Sequence, residues 1–179
     1  MLWTTGVAVS DWSALFAEME TAKRRVMASD REGLWRHESR KPPAAPERIA
    51  EITAETRCPV DPEYAEFLLH ADGWPAVLQD IDLFGTADFG SAAYAQAQEL
   101  VRVAEEEGIV ERESGSARLI PMGASRTDID ILVMPWATEL VRPAPVIWLA
   151  GGEIERYRTF SEFFRGMIAE NHAEADSLA

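Results

Sequence analysis

Three histidines, one cysteine and two pairs of alternating aspartates are the side chains that could carry chemistry in this sequence of 179 residues. The histidines are His37, His70 and His172, and none stands at a metal-ligand spacing from another histidine or from Cys58. His70 falls just before Asp72 at an expected helix end, where an imidazole hydrogen-bonds a last-turn carbonyl. Cys58 precedes Pro59 with no Cys-His signature around it, which predicts a buried apolar thiol and not a nucleophile. Asp80 and Asp82 share one face of an expected strand, as do Asp128 and Asp130. Such pairs serve hydrolysis or metal-assisted catalysis, and they equally line the solvent face of a strand near a sheet edge. No glycine-rich phosphate loop, nucleophile elbow or Ser-His-Asp order occurs, and Gly151-Gly152 lacks the strand-to-helix context of a phosphate site. The expectation is a chain without catalytic residues, metal or cofactor.

The net charge of −14 argues against nucleic acid as a direct ligand, because phosphate binding needs a basic footprint. It suits a basic protein partner, and it equally keeps a protein in solution. Residues 1–41 carry a net +1 and the remainder a net −15. The single cysteine rules out an internal disulfide and fits a reducing, cytoplasmic setting. No apolar run approaches the roughly 20 residues that cross a bilayer. The stretch from Met1 to Val9 lacks a basic leader and does not read as a secretory signal.

The best punctuated element is Asp61 to Trp74. Asp61 caps a helix, Pro62 starts it, and Tyr64, Phe67, Leu68 and Ala71 follow at helical spacing before Gly73 stops it. Before it, Pro46 to Thr56 reads as a helix with Ile49 and Ile52 inward and Glu47, Glu51 and Glu55 outward. Ser10-Asp11 followed by Trp12, Leu15, Phe16, Met19 and Val26 predicts a capped helix to about Met27, packed on its own domain or on a second chain. The Lys23-Arg24-Arg25 run reads as its solvated face, and Lys41 to Pro46 as an extended connector.

After Trp74, Val77 to Phe84 alternates as one half-buried strand. Ser91 to Glu107 reads as a helix stopped by Gly108, with Glu105, Glu106 and Glu107 unfavourably placed at its negative end. Ile109 to Glu113 and Ala117 to Gly123 suggest a hairpin. Asp128 to Met134 and Val146 to Leu149 read as strands moving to the middle of a sheet, and Gly151-Gly152 as the turn to a strand ending at Tyr157. Thr159 and Glu162 form a capping box before the stripe Phe160, Phe163, Phe164, Met167 and Ile168, and Asn171 to Ala179 reads as a polar tail.

Several of these words together form a known pattern: Ile49-Ala50-Glu51-Ile52, Pro59 to Tyr64, Phe67-Leu68, Ala71 to Trp74, then Leu119 to Gly123, the strand ending Ile129-Asp130-Ile131 and a last helix around Phe160 to Ile168. Over about residues 46–168 the chain resembles the Smi/Knr superfamily, also called SUKH, whose bacterial members are mostly immunity proteins against secreted toxins. It departs at Ala71-Asp72-Gly73, where many members have Asn-Gly, and at Ser125 to Asp128, where many have a more glycine-rich turn.

The fold class expected is α+β: a single domain with a mainly antiparallel or mixed sheet of four to six strands and helices on one side, which the resemblance also implies. The expected organisation is an N-terminal helical extension (1–41), a SUKH-like domain (42–171) and a polar tail (172–179). The function implied is binding of a protein partner, a basic toxin domain such as a nuclease, by a monomer or dimer with no direct role for nucleic acid or membrane. A regulatory or scaffold module of the fungal type is the alternative, and a hydrolase using an Asp pair a third. The candidate partner surface comprises Asp80, Asp82, Glu105, Glu106, Glu107, Asp128 and Asp130, with Trp74 or Trp136 as the desolvated anchor.

Overall fold

The computed structural model describes residues 11–110, 118–138 and 143–179. Among them the chain runs α1 (Trp12–Ser29), α2 (Pro46–Thr56), α3 (Pro62–Leu68), β1 (Trp74–Leu78), β2 (Ile81–Leu83), α4 (Ala92–Glu106), β3 (Arg118–Ser125), β4 (Ile131–Trp136), β5 (Val146–Leu149), β6 (Glu153–Tyr157) and α5 (Phe160–Ser177). The six strands form one antiparallel sheet in sequence order, which makes this an α+β domain.

Alternation along the inner strands builds two apolar layers. Leu132, Met134 and Trp136 of β4 join the core under α1, α3 and α5, while Ile131 and Val133 point to the opposite face, where the inserted helix α4 supplies Tyr94, Ala97 and Val101. Covered on both sides, β4 is buried along its whole length.

α1 belongs to the main core. Trp12, Leu15, Phe16, Met19 and Val26 are all buried, and Phe16 meets Phe67, Trp74 and Phe164 with ring centroids 5.5–5.9 Å apart. The Asp11 carboxylate caps the helix by accepting from the Ala14 N–H at 3.1 Å. The extended connector is pinned to the α3–β1 corner: Lys41 N–H donates to the Gly73 carbonyl, Ala44 N–H to Leu68, and Asp72 N–H to Pro42.

That corner is tightly built. Asp61 caps α3 through the N–H groups of Glu63 and Tyr64, and its second oxygen accepts the Ala144 N–H at 2.8 Å. The Tyr64 hydroxyl donates to the Phe84 carbonyl at 2.8 Å, and the Asp72 carboxylate accepts the Thr86 N–H and hydroxyl at 2.5 and 2.8 Å. Gly73, at φ 88°, lies so close to Gly85 that an added Cβ would stand 2.7 Å from the Gly85 nitrogen.

Several local expectations are corrected. Val77 to Phe84 is not one strand: Gln79 (φ 51°) and Asp80 turn the chain between β1 and β2. α3 ends at Leu68, and Gly73 sits beyond it in the turn entering β1. Asp128 lies in the turn before β4. The segment read as a polar tail continues α5 to Ser177, with Asn171 and Ala175 buried. Lys23 is not on a solvated face: it is 9 % exposed. Of the hairpin expected from Ile109, residues 111–117 fall outside the described residues, and Ile109 and Val110 form a bend. The Gly151-Gly152 hairpin, the Gly108 stop and the Phe160 to Ile168 stripe stand where expected.

Candidate functional site

The β1–β2 turn brings two of the expected site carboxylates into one network. Asp80 Oδ2 accepts from the Ser125 hydroxyl at 2.6 Å, from the Thr127 N–H at 3.1 Å and from the Thr127 hydroxyl. Asp82 Oδ1 accepts from Arg36 at 2.5 Å and from the Ala76 N–H at 2.8 Å, and Oδ2 from Arg126 at 2.6 Å. Burial pushes both carboxyls up, but these donors outweigh it and hold both below the usual aspartate range. The carboxylates therefore tie the hairpin to the segment after α1 and to the β3–β4 turn.

The other expected residues scatter. Asp130 Oδ1 accepts the Trp148 indole N–H at 2.6 Å, and exposed Asp128 accepts the Ile129 N–H at 2.8 Å. Glu105, Glu106 and Glu107 lie at the far end of α4, where Glu106 pairs with Arg102 at 2.5 Å and Glu105 lines a shallow cleft with Arg118. Trp74 and Trp136 are core residues, 1 % and 0 % exposed, so neither is available as a surface anchor. Trp74 donates to the Glu38 carbonyl at 3.3 Å, and Trp136 stacks on Phe89. These tryptophans complete the aromatic core, which is a physical reason for their presence that needs no partner.

The histidines and the thiol are likewise dispersed. His37 Nε2 lies 2.9 Å from Asp30, whose carboxyl is held below the usual range by the Trp35 and Leu34 N–H groups. The His70 ring packs against Phe16 at 5.9 Å, His172 meets Arg25, and Cys58 is buried beside the Trp136 carbonyl. Among the described residues no three His, Cys, Asp or Glu side chains gather in a metal-binding arrangement, and no helix is long and apolar enough to cross a membrane.

Among the exposed acids, those on α2 form a regular row. The helix buries Ile52 and Thr56, and one turn apart on its outer side it presents Glu47, Glu51 and Glu55, all exposed. Arg48 pairs with Glu51, and the C-terminal end is held by Arg118 donating to the Thr56 carbonyl at 2.8 Å. A row of carboxylates on a fixed helix can meet a basic surface, and it has no arrangement for bond-breaking chemistry. The outward glutamates were legible from the helical period; the engagement of the strand aspartates was not, because in the sequence they looked equally free. No protein-family model matches the chain, and no curated protein matches it at a significant level.

Proposed function

We propose that this chain is a non-enzymatic protein-binding domain of the Smi/Knr type, acting as immunity proteins do by sequestering a basic toxin domain. The observation that carries the reading is the exposed Glu47, Glu51 and Glu55 row on a helix fixed to the core, in a chain of net charge −14. Complementary charge of this kind steers encounter and selects partners, while affinity comes from the contacts that close around it. Support for the superfamily comes from its quoted words meeting at one corner: the Asp61 cap, the Tyr64 bond to Phe84 and the Asp72 clamp on Thr86. The hydrolase alternative loses ground because the Asp80 and Asp82 carboxylates are occupied by structural donors.

The test is capture of the tagged protein from its native host together with the product of the neighbouring gene. A basic toxin domain that binds with an association rate falling steeply between low and high salt is the expected result. A host regulatory protein as the specific partner would replace this reading with the scaffold one.

A further inference from the structure

Between α1 and the segment that follows it lies a cavity of about 360 Å³, walled by Glu20, Lys23, Arg24, His37, Arg40 and Trp74. Lys23 is the unusual member. It is 9 % exposed, and its Nζ donates 2.6 Å to the carbonyl of Ala76. Ala76, at φ 50°, sits in the irregular part of the β1–β2 ladder. An ammonium has three donors, so one carbonyl leaves it under-satisfied.

Among the described residues Lys23 makes no ion pair, and the two acids lining the cavity are already matched. Glu20 pairs with Arg40 at 3.1 Å and Glu38 with Arg36 at 2.5 Å. Arg24 donates to the Thr21 hydroxyl. Among the described residues Lys23 and Arg24 are thus left as cations without an ion-pair partner at one cavity, in a chain with 31 acidic residues. Taking a cation out of water without an opposite charge is costly, and an anion entering the cavity would repay it.

We propose that this cavity binds a small organic anion, a carboxylate or a phosphate monoester, whose charged group rests on Lys23 and Arg24 and whose apolar part lies along Met27. Met27 lines the same cavity and is 54 % exposed, which gives such a ligand an apolar wall, and the volume lies in the range of small-molecule sites. Burial, with Arg36 adding to it, pulls the amine down to about 8, so it is mostly charged at neutral pH. The site is separate from the α2 row, and neither reading depends on the other.

The chain has two lysines, Lys23 and Lys41, and Lys41 is paired with Asp88. Protein labelled with ¹³C at lysine Cε therefore gives two signals, one of them an internal control. Benzoate, phenyl phosphate and inorganic phosphate are titrated against potassium chloride at matched ionic strength. The expected result is a saturable rise of about one pH unit or more in the Lys23 midpoint with benzoate or phenyl phosphate, and none at Lys41. The better of the two names the anionic group. Arg24→Gln, an exposed change, weakens binding several-fold, and Lys23→Met removes the heat of binding in calorimetry. No response beyond chloride overturns the proposal, and a response to inorganic phosphate that the phenyl group does not improve overturns its organic part.

Discussion

The Nζ of Lys23 on α1 reaches the carbonyl of Ala76 in β1 at 2.6 Å, a bond that joins the first helix to the sheet across the core. Burial lowers its pKa from 10.5 to about 8. The folded chain therefore releases this proton before the unfolded chain does, and stability rises with pH between those two values. The cost of the buried charge, about 3 kcal/mol for such a shift, is fully present below that window and gone above it. Denaturation of wild type and Lys23→Met across this range checks it: the wild type gains on the variant as pH rises, and parallel curves would refute it.

Asp61 is the residue on which the α3 corner turns. Its carboxylate caps α3 and holds Ala144, so Asp61→Ala removes three acceptor contacts from a buried site. A loss of about 2 to 3 kcal/mol is expected. Equilibrium unfolding in urea reads it, and a change within about 0.5 kcal/mol, the range of a neutral surface substitution, would contradict the role assigned.

How much of this was legible depends on the range of the signal. The α3 cap, the α5 stripe and the Gly151-Gly152 turn are written within one helical turn or one hairpin, where period and turn chemistry act. The β1–β2 turn was hidden because Gln79 takes a positive φ without being glycine or asparagine. The end of α5 was hidden because Asn171 is polar yet buried, with its amide bonded to the Val77 and Met167 carbonyls at 2.8 Å. Lys23 carried a usable signal, since it falls on the Met19 to Val26 stripe, but its charge overrode the period. The fate of Asp80 and Asp82 was out of reach locally, because their donors Ser125 and Arg36 lie 45 and 46 residues away.

Phe16 and Phe164 pack edge to face at 5.5 Å, so α1 and α5 stand or fall together. Phe16→Ala and Phe164→Ala should each cost about 3 to 5 kcal/mol. In a double-mutant cycle they should couple by about 0.5 to 1.5 kcal/mol. Full additivity, or an unchanged melting midpoint for Phe16→Ala, would contradict the placement of α1 in the core.

Asp82→Ala should weaken the fold and spare partner binding. It strands the Ala76 N–H and two guanidinium groups, which predicts a loss of about 1 to 3 kcal/mol in urea unfolding. An unchanged unfolding midpoint, or partner affinity falling while stability holds, would return Asp82 to the binding surface.

Protection by binding through the α2 carboxylates, as proposed, is read from growth of a heterologous host expressing the neighbouring gene's product alone, with this chain, or with a Glu47→Lys/Glu51→Lys/Glu55→Lys variant that melts like the wild type. The expected result is arrest by the product alone, recovery with the wild type and arrest again with the variant. A product that does not arrest growth, or one from whose arrest the wild type gives no recovery, would contradict it.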